Sequence, residues 1–530
     1  MKSPTHQNSK KNQHNKELVS LEEGGLQKTQ FFSDKIAFAI LGIVFLLIYI
    51  YIFDKKADLN GDNFAYYALG KSIHDFRGFS SIWAPVATPH NHFPPGYPFI
   101  LSIGMFISSS PVFLTAINGF LLFLSIFLLY KFLINIGTDQ RLSLVIGLLL
   151  FLNATLLKSS TIMMSEVCYL FGTSLVLFFV TKLNPNTPVL KDRYLFFLIL
   201  ALGFSFYVRS QGLSLFVGVL FFLLLSKQWI RFGITLGGTA ALIYPWFLRG
   251  KQLGGNSYAD QLLSKNPYQP ELGKANVSDF VERFLHNVQR YVTIEIPNGT
   301  VGTKVEYFKE SYTSGEWVFG ICLILLVFFG FWMIKKAYKP LMFGVIGGTF
   351  GIILLWPEQW YGSRFLFNMI PILFLLAAIG LYKLLELIMK KASLSFFTTP
   401  FILLAFIIPF SDSLKELHDY AQEPYPAPYS NMFDVAEWAS ANTPEGSVFC
   451  CRKPEMFFFF SNRPTVNYAN AVEKEVIKGL EDSKVKYVVL EQLGYGSTYK
   501  YLLPAIQKYP ERFKLLYQVP NPDTYLFEFH

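Results

Sequence analysis

The chain has 530 residues, 52% hydrophobic and 17% aromatic, with 46 basic against 37 acidic residues and a formal charge of +9. A mean hydropathy of +0.34 means more apolar surface than a soluble globule can bury, so the composition points to a polytopic α-helical membrane protein. Nucleic-acid binding is not indicated by the positive charge, because Lys and Arg come in short clusters between apolar runs and form no single basic stripe.

Residues 1–30 are polar and lysine-bearing without hydrophobic periodicity, which predicts a disordered cytoplasmic tail ahead of a transmembrane domain over 31–410. The first apolar run, IAFAILGIVFLLIYIYIF (36–53), is too long for a signal peptide and lacks a small-residue cleavage site, so it reads as an uncleaved anchor. A polar external loop, 54–93, follows it and contains LNGDNFAYYALGKSIHDF (59–76). Turn residues there predict a helix beginning at Asp62, with Asp62, Tyr66, Leu69 and Ile73 on one face. The next apolar segment, PPGYPFILSIGMFIS (94–108), opens with three prolines in five positions and is shorter than the roughly 20 residues a span needs.

Further runs lie at 111–135, 142–157, 165–182, 194–208, 212–226, 232–248, 316–334, 341–356, 365–385 and 394–410. If every run crossed, the clusters Lys191/Arg193, Lys227/Arg231, Lys335/Lys336/Lys339 and Lys390/Lys391 would fall outside, against the positive-inside rule. Laying 94–108 along the interface returns them, with Lys131 and Arg141, to the cytoplasmic side. The expectation is therefore about 11 crossings with the N-terminus inside, a second external loop over 249–315, and an external C-terminal domain over 411–530. In that domain, SVFCC and KVKYVVLEQ read as strands and AVEKEVIKGLEDS as a helix, an α/β pattern. The four cysteines show neither disulfide nor zinc spacing, and GYGST at 494–498 lacks the context of a phosphate loop.

With this topology, polar residues at the outer face become candidates for chemistry. Asp62 and Glu166 each stand at a helix start, where a carboxylate serves either as a helix-terminal cap or as a functional acid. Arg209, in YVRSQG, and Arg364, in WYGSRFLF, either snorkel to lipid phosphates or hold an anion in a guanidinium fork. Lys158 is a further basic residue on that side.

The ordered motifs GDNFAYYALGKSI, HFPPGYPFIL, SE at the start of a later span, GFSFYVRSQGLSLF and YGSRFLFNMIPILFLLAAIGL resemble the GT-C glycosyltransferases of the protein mannosyltransferase and lipid A aminoarabinose transferase superfamily, over about residues 36–390. The resemblance implies an enzyme that takes a sugar from a polyprenyl-phosphate donor and passes it, with inversion, to a lipid, glycan or protein acceptor on the outer face of the cytoplasmic membrane. It implies that Asp62 is the acid that deprotonates the acceptor and that Glu166 lines the same cavity. Tyr66, Arg209, Arg364 and Lys158 would contact substrate. Where the aminoarabinose branch has Lys before the two prolines, this chain has Phe93 preceded by His92; His92 takes the phosphate role only when protonated, and the departure argues against that particular branch. No cofactor is required by the sequence, and a divalent metal shared by Asp62 and Glu166 is compatible with it. A transporter of lipid-linked sugars and a non-catalytic membrane-anchored binding protein remain alternative readings.

Overall fold

The computed structural model describes residues 33–530 except 60–61, 255–256, 268, 270–271, 305, 307–310 and 392–397. The tail expected over 1–30 lies outside the described residues, apart from which the membrane region is a bundle of apolar helices around one continuous core. Several of its helices start where a side chain satisfies free amides. Ser33 accepts from Ile36 N at the head of Asp34–Ile52, and Asp139 accepts from Arg141 N and Leu142 N at the head of Gln140–Leu150. Thr313 and Glu316 form a capping box ahead of Ser314–Met333.

Among the described residues, four helices are individually long and apolar enough to cross a membrane: Asp34–Ile52, Pro111–Asn135, Ser314–Met333 and Ile370–Lys390. Other apolar runs fold as shorter helices, among them Ser165–Val180, Arg193–Val208 and Gly212–Leu225. The proline-led segment is a helix of 10 residues, Gly96–Met105. One expected span, 142–157, is not continuous: Gln140–Leu150 and Ala154–Ser160 meet at a bend of 60°. Asn153 causes the break, because its side chain accepts from Leu156 N and donates to the carbonyls of Gly299 and Thr300. Nor is 249–315 an open loop. It holds the helices Val277–Arg290 and Ile296–Val301, and Tyr291 and Ile296 are buried in the bundle core. The Tyr291 ring packs edge-on to Phe350.

The two ends of the bundle carry different sets of ion pairs. At one end Lys131 reaches Asp34 and the buried Arg231 pairs with Asp192 at 3.1 Å. The opposite end carries the acids and arginines of the first loop and of the Ser165–Val180 helix start. Beyond the bundle, the Thr398–Gln422 helix leads to Ala427–Asn442 and a five-stranded sheet. Its strand order is Thr465–Val466, Phe449–Cys450, Tyr487–Leu490, Thr524–Phe529, Phe513–Val519. The first three strands are parallel and the remaining pairings antiparallel. Pro454–Ser461 and Glu473–Asp482 are among the helices that flank it.

The Ser314–Met333 and Ile370–Lys391 helices approach so closely that a Cβ on Gly330 would collide with the Leu376 carbonyl oxygen, and one on Gly380 with that of Leu326. Small residues at such crossings let backbones pack where lipid offers no hydrophobic drive. Gly330→Leu should therefore lower stability by about 1–3 kcal/mol or more, read as a fall in the thermal midpoint in detergent. Gly351→Ala, where the added methyl meets nothing, should leave that midpoint in place.

Candidate active site

Ahead of the Asn63–His74 helix, the Asn63 amide donates to the Asp58 carbonyl and carboxylate at 3.2 and 3.3 Å. Asp62 then occupies the N-cap position of the Asn63–His74 helix, yet its side chain makes no capping bond. The carboxylate instead lies 3.6 Å from Arg364 Nη2. Of the two roles open to Asp62, capping is the one the geometry does not use.

Glu166 sits in the first turn of Ser165–Val180 and is only 3% exposed. Its Oε1 meets Arg209 Nη1 at 2.8 Å and Arg364 Nε at 3.2 Å. Arg209 Nη1 also donates to Ser165 Oγ at 3.1 Å, and Ser165 Oγ lies 3.1 Å from the Tyr66 hydroxyl. Asp62, Arg364, Glu166, Arg209, Ser165 and Tyr66 thus form one connected network, although they come from positions as far apart as 62 and 364. Snorkelling to lipid is not what these two arginines do. A buried carboxylate needs both of them: removing one partner of a buried pair costs about 3–5 kcal/mol, because the remaining charge is stranded. Glu166 Oε2 is buried without a hydrogen-bond partner, so an acceptor lone pair is left over inside the site.

Arg364 is carried by a short loop that is itself tied down. Gly362, at φ 108, donates its N–H to Glu295 Oε1 at 2.9 Å. Arg290 lies 3.4 Å from the same carboxylate oxygen and donates to the carbonyls of Glu358 and Trp360 at 2.8 and 3.1 Å. Gln211, two residues after Arg209, donates to the Phe365 carbonyl at 3.1 Å. Nothing local marks the Arg290–Glu295 pair, whose spacing spans a π-helical turn, Tyr291–Glu295, and so matches neither helical nor strand periodicity. Ser165 was visible in the SE dipeptide, but nothing local marks it as the bridge between Arg209 and Tyr66.

His92 is half-buried beside the network, with its ring edge-on to Phe93. Burial holds its pKa below the ordinary histidine range although the Asp62 carboxylate acts the other way, so near neutral pH it is not the cation a phosphate would want. Its neighbour His90 has the structural role. His90 Nε2 accepts from Phe93 N at 3.0 Å, and Nδ1 lies 3.0 Å from Ser81 Oγ. Lys158 does not join the network. The bend at Asn153 carries it into a separate small recess with Asp54, Asp58 and Tyr420, where its ammonium lies 5.4 Å over the Tyr420 ring. Among the described residues no three His, Cys, Asp or Glu side chains converge as metal ligands.

Burial, with His92 and Arg249 nearby, pushes the His90 pKa down to about 3. A histidine that stays neutral when folded but takes up a proton when unfolded loses stability as pH falls below the unfolded value near 6.5, by at most about 1.4 kcal/mol per pH unit. The thermal midpoint should fall between pH 6.5 and 4.5, and His90→Gln should flatten that slope. An unchanged slope in the variant would mean that His90 is not the group responsible.

A family model described as dolichyl-phosphate-mannose-protein mannosyltransferase matches residues 37–251, a stretch that includes Asp62, Tyr66, Glu166 and Arg209. Among solved structures, the chain aligns with ArnT from Cupriavidus metallidurans bound to undecaprenyl phosphate at a TM-score of 0.59 and 12% identity, covering 92% of this chain and 97% of that one. The apo state of the same protein aligns at a TM-score of 0.55 and 13% identity, with 92% and 97% coverage. No curated protein sequence matches. The chain is thus similar to the mannosyltransferase family over residues 37–251 and shares the fold of ArnT over most of its length.

Proposed function

We propose that the protein transfers a sugar from a polyprenyl-phosphate donor to a hydroxyl of a lipid, glycan or protein acceptor, at the outer face of the cytoplasmic membrane and with inversion. The observation that carries this reading is the convergence of Arg209 and Arg364 on Glu166 with the Asp62 carboxylate 3.6 Å from Arg364. Two guanidinium groups held at fixed positions suit a phosphate, which they engage through several donors at once. Asp62, with no capping duty, is placed to take the proton from the acceptor hydroxyl.

In the reaction the acceptor oxygen forms a bond to the anomeric carbon while the carbon–oxygen bond to phosphate breaks on the opposite face. The hydroxyl proton passes to the Asp62 carboxylate, and the bonding pair leaves with the phosphate. Arg364 and Arg209 stabilise the charge that builds there, a contribution that grows toward the transition state. Glu166 fixes both arginines through Oε1 and offers its unpartnered Oε2 to a hydroxyl of donor or acceptor. A divalent ion shared by the two acids does not fit this arrangement, because the Arg364 guanidinium already stands between them.

The donor's lipid also has a place. A cavity of about 400 Å³ lined by apolar side chains, among them Ile296, Phe328, Phe331, Phe350, Leu354 and Leu376, adjoins the segment whose Glu295 holds the Arg364 loop. Part of a prenyl chain fits such a lining by the same area-proportional effect that buries any hydrocarbon. A transporter would place its polar groups near mid-membrane, whereas this network gathers at helix ends and a loop: Asp62 and Glu166 at helix starts, Arg209 at a helix end and Arg364 in a short turn. We assign that end to the outside and the Lys131–Asp34 and Arg231–Asp192 end to the cytoplasm, with the N-terminus inside, the C-terminal domain outside and about 11 crossings, in accord with the positive-inside rule.

The test is transfer of radiolabelled sugar from a panel of polyprenyl-phosphate donors in membranes carrying wild type, Asp62→Asn or Arg364→Met, with monodispersity in detergent as the folding check. Asp62→Asn should slow transfer by about 10²- to 10⁴-fold, and Arg364→Met should lose both rate and donor affinity. Full activity in Asp62→Asn would remove it as the base, and no transfer by wild type from any donor would overturn the assignment.

A further inference from the structure

The Asn63–His74 helix has two buried faces that belong to different cores. Ala65, Tyr66 and Leu69 pack into the membrane bundle. Phe64 joins Leu59 in a cluster made otherwise of C-terminal residues, including Met432, Phe433, Phe449 and Phe457, and Ala68 packs with Ile82 and Phe458. Asp62 lies between Leu59 and Phe64, at the N-terminal end of a helix shared by the two cores.

Aromatic contacts fix that end. Phe459, from the Pro454–Ser461 helix, stands edge-on to both Phe64 and Tyr67, at 5.0 and 4.7 Å between ring centroids. Phe460 lies 6.0 Å from Phe64 and is stacked at 4.0 Å on Phe433. Backbone bonds add two more ties between the first loop and the C-terminal domain: Ala57 N donates to the Tyr425 hydroxyl at 2.8 Å, and Thr465 N donates to the Trp83 carbonyl at 2.7 Å. Aromatic pairs of this geometry contribute about 0.5–1.5 kcal/mol each beyond area burial.

From this seam we propose that the C-terminal domain is a positioning element for the reaction, and that Phe459 holds the first turn of the Asn63–His74 helix so that the Asp62 carboxylate faces the two arginines. Asp62 does not cap its own helix, so its direction follows from where the backbone of that turn is set. The donor phosphate, in contrast, is held by arginines on the membrane side of the seam. Loosening the seam therefore moves the base and leaves the donor site in place. Misplacement of a reacting group by about 1 Å costs on the order of 10²-fold in rate.

The inference rests on Asp62 acting as the base, and a double-mutant cycle separates the two claims. In purified full-length enzyme, Phe459→Ala should lower kcat by about 10- to 100-fold with donor KM within about twofold of wild type. In an Asp62→Asn background the same change should cost less than about twofold more, since a residue that acts through Asp62 has nothing left to position. Phe459→Tyr should restore most of the rate. If Phe459→Ala does not yield monodisperse protein, Phe459→Leu keeps the apolar volume without the edge contacts and should show the same split with a smaller loss. An unchanged kcat, or an equal loss in both backgrounds, overturns the positioning role while leaving the base intact. Wild-type turnover in Asp62→Asn alone overturns the base, and the positioning role with it.

Discussion

Everything at this end of the bundle depends on a carboxylate buried where no carboxylate is stable alone. Glu166 is nearly inaccessible, and it is tolerated there because two guanidinium groups from separate parts of the chain meet on one of its oxygens. The dependence runs both ways, since Arg209 and Arg364 would repel each other without the anion between them. Counting the Asp62 carboxylate 3.6 Å from Arg364, two acids balance the two cations, so what the network offers a phosphate is fixed guanidinium donors and not excess charge. The remaining architecture can be understood as the means of delivering three charges from positions 166, 209 and 364 to one point.

Delivery uses a different support for each charge. Glu166 is set by the start of its own helix, where the dipole favours an acid. Arg209 follows the last turn of Arg193–Val208 and is held by Ser165 and the acid. Arg364 has no helix of its own, and its loop is secured by the Arg290–Glu295 pair and by carbonyls that accept from Arg290, Asn287 and Gln211. A loop so tied can carry a functional arginine without the entropy cost of ordering it on each turnover.

How legible this was in the sequence follows from the range of each signal. Apolar runs are local, so Asp34–Ile52 and Pro111–Asn135 could be read directly, and proline content together with charge balance set Gly96–Met105 apart as short. Asp62, Glu166, Arg209 and Arg364 stood out because a charged residue at the edge of an apolar span is costly without a partner. Which partner it has is a tertiary matter. Lys158 presented the same local signal and went elsewhere, because Asn153, a polar residue inside an apolar run, bends the chain by 60° just before it. The roles of His90 and the Arg290–Glu295 pair are likewise invisible to periodicity, since their bonds reach backbone groups and neighbours that no spacing rule specifies.

One consequence concerns how chemistry is divided across the membrane boundary. A sugar on a prenyl phosphate is apolar at one end, charged in the middle and hydroxylated at the other, so no single environment suits it. On the proposed reading, an apolar cavity lined in part by Ile296, two arginines and the Asp62 carboxylate supply one environment for each part. The acid is separated from the arginines by origin, because its helix is shared with the C-terminal core while they belong to the membrane helices and their loop. A design of this kind lets donor affinity and base placement be altered independently. The rate is then set by how well two cores agree on the position of one helix turn, and less by the strength of any single contact within the site.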